Sequence, residues 1–227
     1  MKPSDEINTT PQHRLVSAPA FTAQELIHLL NLEPLEDEGG MYRNTYTSTE
    51  TLPLHCLPLR FRSKPSQAEG RSGESSESSL AEKTPTVESM PAVESTPAAE
   101  RPFGTAIYYL LTADSFSHFH QLKADEVYHF YLGDPVELCQ LHEDGSSSVT
   151  LLGNQLLEGM TLQQVVPAGI WQGLRLKPGG TWALLGTTMA PGYHPDDYTI
   201  GSRETLMERW PKDAELILSL TGKLVYT

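Results

Sequence analysis

The amino-acid sequence predicts a mainly all-β protein, a single barrel or sandwich of short strands with a short helix before it and helices after it. Three observations carry this. Strand-like runs follow one another at short, regular spacing from Thr105 to Thr188. Compact Gly/Pro/Asp/Asn turn signals separate them. Helical periodicity is confined to a stretch near the N-terminus and two near the C-terminus.

The N-terminal helix begins at a capping box, in which Thr22 and Glu25 are spaced to satisfy each other's end of the first turn. Phe21 and Leu26 are placed for a hydrophobic staple, and Leu26, Ile27, Leu29 and Leu30 supply the apolar side. Gly39-Gly40 then stops the helical region and opens a strand over Met41–Thr47. Further strands are expected at Thr105–Leu111, Ser115–His120, Glu126–Leu132, Val136–His142, Ser147–Leu152, Gln164–Val166, Trp171–Leu176 and Thr181–Thr188. Turns such as Gly133-Asp134-Pro135, Glu143-Asp144-Gly145 and Lys177-Pro178-Gly179-Gly180 punctuate the series. Helices are expected at Arg203–Arg209 and Ala214–Leu220, with the second helix and the Gly222–Thr227 end packed on the outside of the barrel.

One segment departs in composition. Ser63–Arg101 is almost entirely Ser, Glu, Pro, Ala, Thr, Gly and Lys, with no aromatic residue. It lacks the apolar surface to offset its ordering entropy and reads as a disordered insertion. Its flanks, Cys56–Arg62 and Thr105–Leu111, read as neighbouring strands, so it interrupts one domain (21–222) behind a flexible N-terminus (1–20). A long surface loop costs little, because closure entropy grows only logarithmically with length.

The formal net charge of −13 leaves no electrostatic footprint for nucleic acid and no basic patch for anionic lipid. A small-molecule ligand is the expected partner. No apolar run approaches the roughly 20 residues of a membrane helix, and Met1–Pro11 has no signal-peptide character. Cys56 and Cys139 form no C-x-x-C and read as buried free thiols. These features together predict a cytoplasmic, soluble protein.

Chemistry concentrates at Ser117-His118-Phe119-His120. Residues two apart in a strand point to one face, so His118 and His120 are expected to present two imidazoles together. Glu126 opens the next strand and can join them across a hairpin. Two imidazoles and a carboxylate suit a divalent first-row metal such as Zn, Mn, Ni or Fe. The alternative, that the histidines only fill a polar interior, stays open. Tyr128 and Phe130 share the parity of Glu126 and are expected to line the same pocket. His129 has the opposite parity and is expected on the outer face. Arg43 is a candidate bidentate anion binder on the strand that also carries Tyr42. Asp196, Asp197 and Tyr198 are placed to cover the barrel mouth, although Asp-Asp on a loop more often marks a solvated turn.

The motif His118-x-His120, Glu126, Gly133 resembles the first cupin motif, and Pro167-Ala168-Gly169-Ile170-Trp171-Gln172 resembles the second. The wider runs Ala106–Leu111, Phe116–His120, Asp125–Tyr131 and Ala190-Pro191-Gly192 are similar to the Cupin_5 branch, itself akin to sugar-nucleotide epimerases of the RmlC type. The resemblance implies a jelly-roll barrel (a double-stranded β-helix), usually dimeric, with a pocket inside. Two departures stand out. Gln172 occupies the usual position of a fourth ligand, a histidine, leaving His118, His120, Glu126 and Gln172 as the implied metal set. Relatives often carry His-Pro-Glu-Gly-Gly where this chain has Glu36-Asp37-Glu38-Gly39-Gly40, so that only Glu38 of the polar pair is kept.

The expected function is binding of a small polar, sugar-phosphate-like ligand inside the barrel by Glu38, Tyr42, Arg43, Tyr128, Phe130 and Gln172. The expected reaction class is isomerisation or epimerisation. His118 or His120 would act as general base, oriented by Glu126, or all three would hold a metal ion. A metal-dependent oxygenase and a non-catalytic sensor are the alternatives. A homodimer is expected, with Phe119, Val127 and Tyr131 on the covered outer face.

Overall fold

The computed structural model describes residues 21–62 and 100–223. The predicted insertion up to residue 99, the N-terminal segment 1–20 and the last four residues lie outside the described residues. Helix α1 (Ala23–Leu30) starts at the capping box read from the sequence, with Thr22 and Glu25 bonded reciprocally. Next come β1 (Glu33–Pro34), β2 (Met41–Thr47) and β3 (Thr51–Leu52). After the break, β4 (Arg101–Pro102), β5 (Thr105–Thr112), β6 (Phe116–Leu122), β7 (Glu126–Gly133), β8 (Val136–Leu141) and β9 (Ser147–Leu152) follow. The chain closes with β10 (Gln163–Val166), β11 (Trp171–Leu176), β12 (Trp182–Met189), β13 (Tyr198–Ile200), α2 (Arg203–Arg209) and α3 (Ala214–Ser219).

Two antiparallel sheets face each other, in the orders β1-β2-β5-β12-β7-β10 and β13-β6-β11-β8-β9. From β5 to β13 successive strands alternate between the two sheets except at the β8–β9 hairpin, which is how a jelly roll wraps its core. One end of the interior is filled by apolar side chains from both sheets, including Leu111, Phe130, Leu138, Leu174 and Leu185. Outside the five-stranded sheet, α2 and α3 bury Phe119, Cys139 and Leu141 against Leu206, Trp210, Ile217 and Leu220.

The expected strand Cys56–Arg62 is instead a pair of 3-10 turns, Leu54–Cys56 and Leu59–Phe61. Pro53 and Pro58 precede the two turns, and their carbonyls accept from Cys56 and Phe61 N–H. Proline has no N–H for a sheet ladder, so the prolines favour turns over a strand here. Leu57 and Phe61 nevertheless bury against Leu122, Ala124 and Met189. Cys56 is exposed, contrary to expectation, and only Cys139 is a buried thiol.

The flanks of the insertion do meet, but as β3 and β4, with Leu52 opposite Arg101. Arg101, read from the sequence as the end of the insertion, is fully buried and ion-paired to buried Asp197. Its second guanidinium nitrogen donates to the other Asp197 oxygen at 2.9 Å, and Lys123 adds a third charge at 3.7 Å. Composition alone hid this arginine, because its partner lies 96 residues away.

Candidate functional site

Strand β7 obeys simple alternation. Glu126, Tyr128 and Phe130 are buried in the interior. His129 stands on the outer face, bonded to Thr188 Oγ1 at 3.0 Å and Gln163 at 3.1 Å. Strand β6 does not alternate. Against β11, His120 faces Gln172 and Ser117 faces Leu174, so three steps on β6 oppose two on β11. This is a β-bulge at His118–Phe119. The freed backbone groups find other partners: His118 N–H donates to Glu38 O at 2.7 Å and Phe119 N–H to Leu220 O at 2.9 Å. Gly173 accommodates the bulge, since a Cβ there would come within 3.0 Å of Ser117 O.

The bulge separates the two histidines. Ser117 and His120 take the interior face, while Phe119 goes under the helices. His118 is half-buried beside Phe116, with ring centroids 6.2 Å apart and Nδ1 3.2 Å from Phe119 O. Burial, followed by the nearby His120 and Arg203 charges, pushes its pKa down, with only the Phe119 carbonyl opposing. The predicted pairing of His118 with His120 is therefore wrong.

His120 is buried, and its Nε2 lies 4.0 Å from Glu38 Oε2 and 3.9 Å from Glu126 Oε2. Its Nδ1–H donates to His118 O at 2.8 Å, leaving Nε2 to face the carboxylates. Burial opposes a charged imidazole here, but the Glu38 and Glu126 carboxylates outweigh it and raise the pKa to about 9. His120 is thus an imidazolium at neutral pH, not the free base expected from the sequence. Glu38 is pushed up, chiefly by burial.

The two carboxylates are themselves held in place. Ser117 Oγ donates to Glu38 Oε1 at 2.8 Å, and Gln172 Nε2 donates to Glu126 Oε2 at 2.8 Å. Glu38 reaches the interior because Gly39 and Gly40 adopt φ of 101° and 72°, a left-handed turn that glycine favours. Tyr109 O–H anchors that turn by donating to Gly39 O at 2.8 Å.

In front of this group lies a cavity of about 350 Å³, with Glu38 and Glu126 in its wall. Tyr42 lines it as expected. Tyr193 and Tyr198 also line it, and Tyr198 stacks on His120 with centroids 5.3 Å apart. Of the residues expected to cover the mouth, Tyr198 does so, whereas Asp197 is the buried partner of Arg101. Phe130 belongs to the apolar end of the interior. Arg43 turns the other way, and its Nη1 donates to Leu30 O at the end of α1 at 2.8 Å. It neutralises a helix C-terminal carbonyl and does not bind an anion in the cavity.

A family model described as Cupin_5, Cupin superfamily (DUF985), matches residues 24–201. The chain belongs to the Cupin_5 family. No curated protein matches it. Among solved structures, this Cupin_5 chain is similar to a protein from Shewanella oneidensis, at 24% identity and a TM-score of 0.64, over 89% of this chain and 99% of that one. It is also similar to a hypothetical protein from Leishmania major, at 22% identity and a TM-score of 0.65, over 89% and 100% of the two chains. At such identities the likeness shows the fold.

Cupin chemistry often uses a metal, but the residues here do not fit the metal set read from the sequence. His118 is turned away, one imidazole remains, and Gln172 gives its N–H rather than its oxygen to Glu126. Among the described residues, no group of three or more His, Cys, Asp or Glu side chains is arranged to hold a metal ion. Sequence reasoning missed Ser117, Tyr109 and Tyr193. Ser117 carried a signal in hindsight, as the polar neighbour of a histidine pair that a bulge re-aims.

Proposed function

We propose that the barrel of this Cupin_5 protein binds a small polar molecule in the mouth cavity and exchanges protons with it through Glu38 and Glu126. The observation that supports this is the placement of His120 between two carboxylates that both line the cavity. Glu38, pushed up by burial, readily holds a proton. Glu126 faces the His120 ring and accepts the Gln172 N–H. That division suits abstraction of a proton next to a carbonyl by Glu126, with delivery by Glu38, the reaction type of isomerases and epimerases. His120 does not line the cavity. It is a positioning residue whose charge decides how the proton is shared between the carboxylates.

The test is deuterium incorporation from solvent into the α-carbon of small hydroxy-carbonyl compounds, followed by NMR with the full chain. Wild type should catalyse exchange. Glu126→Gln should lose about a hundredfold or more of the rate, and His120→Gln should shift the pH profile. His118→Gln should leave both unchanged. Exchange by Glu126→Gln at the wild-type rate would sink the proposal.

The metal-dependent oxygenase reading rested on the donor set that the bulge dismantles. The homodimer remains a proposal. The outer face of the six-stranded sheet exposes Tyr46, Tyr131, Leu132 and Val165, which supports it, and light scattering on the purified chain tests it. Phe119 is not part of that face, because it lies on the five-stranded sheet, where α2 and α3 already cover it.

A further inference from the structure

We infer that the cavity selects a small organic cation, a molecule bearing a protonated or quaternary amine, over sugar phosphates and other anions. This rests on the reading of the cavity as the ligand site and names the class of ligand.

Three carboxylates, Asp37, Glu38 and Glu126, stand in the cavity wall, and among the described residues no lysine or arginine lines it. The cations nearest in the fold are committed elsewhere. Arg101 and Lys123 converge on Asp197, and Arg43 caps α1. His120 supplies one positive charge behind the wall, which offsets Glu126, and with Glu38 holding its proton Asp37 is the carboxylate that keeps the cavity acidic. An anionic phosphate entering here would meet like charge without the guanidinium or ammonium partner that such groups require.

The tyrosines point the same way. Tyr42, Tyr193 and Tyr198 line the cavity together with Asp37 and Glu38. Ring faces and phenol lone pairs both present negative partial charge, and aromatic side chains beside acids form the usual cage for ammonium groups. The Tyr198 hydroxyl is buried and has no hydrogen-bond partner among the described residues, so an acceptor stands ready for an incoming N–H. Burial, then the charges of Glu38 and Asp37, push the Tyr193 hydroxyl up to about 12. Of these causes the acidic charges, unlike burial, favour a cation at that point.

The experiment is a calorimetric titration of the full chain with four probes: choline, glucosamine, glucose and glucose 6-phosphate. Choline or glucosamine should bind about tenfold or more tighter than glucose, and glucose 6-phosphate weakest. Asp37→Asn should weaken the cations severalfold and glucose by less, with the variant's fold checked by its unchanged melting temperature. Tyr193→Leu should weaken choline most. Glucose 6-phosphate binding as tightly as glucosamine, or Asp37→Asn leaving the order of affinities intact, overturns the cation inference while the ligand site stands. Failure of all four probes at millimolar concentration overturns the site reading and the inference with it.

Discussion

Strands β6 and β7 lie side by side in sequence and both feed the candidate site, yet they obey different rules. In β7 every second residue points inward, and Glu126, Tyr128 and Phe130 are where period two puts them. In β6 one extra residue moves His118 out of the interior and brings Ser117 in beside His120, while Phe119 keeps the outer face under the C-terminal helices. Alternation is a property of an unbroken ladder. Where the partner strand contains a glycine that tolerates a bulge, the faces swap part-way along.

The largest test of that contrast uses two phenylalanines. Simple alternation puts Phe119 on the outer face, where truncation should be mild, but it is as buried as Phe130. Phe119→Ala and Phe130→Ala should therefore each destabilise by about 3–5 kcal/mol in urea unfolding. A loss near zero for Phe119→Ala would contradict its burial beneath α2 and α3. Gly173→Val comes next. Its side chain would crowd Ser117 O and Leu220, and the expected cost is about 1–3 kcal/mol. Loss of the Ser117–Glu38 hydrogen bond should accompany it, visible as a change in the His120 imidazole resonances.

The smallest effect separates the histidines by pH. The His120 pKa is raised above its unfolded value, so the folded state binds more protons and the sign of linkage is fixed. Its contribution is full below about pH 6.5 and is lost as pH rises through about 9. The melting temperature should fall across that window in wild type and in His118→Gln, and should fall less in His120→Gln. An equal slope in all three would place the imidazolium elsewhere. His118, pushed down by burial, should act in the opposite sense, lowering stability as pH falls below about 6.5.

Much of this was legible beforehand. The capping box at Thr22, the Gly39-Gly40 turn, the strand series and the two C-terminal helices follow from local chemistry and stand where expected. Glu38, Tyr42 and Glu126 line one cavity, and Gln172 stands behind Glu126 as its hydrogen-bond donor. The failures share a form. The strand expected at Cys56–Arg62 runs through Pro58 and follows Pro53, local signals that favour turns. His118, Arg43 and Arg101 were misplaced for another reason, because the partner that decides each one lies on a distant element. No helix among the described residues is long and apolar enough to cross a membrane, in line with the absence of such a run in the sequence.

The sequence by itself determined the architecture, since turn residues and strand periods act over a few neighbours and add up to a barrel. It also placed a histidine and a glutamate in the barrel's interior. Only the tertiary structure decided which histidine. A bulge belongs to a pair of strands, and its register is set jointly by β6, by Gly173 on β11, and by the Glu38 and Leu220 carbonyls that take up the displaced N–H groups. The charge of His120 was decided the same way, by two carboxylates that meet only when the two sheets close on each other.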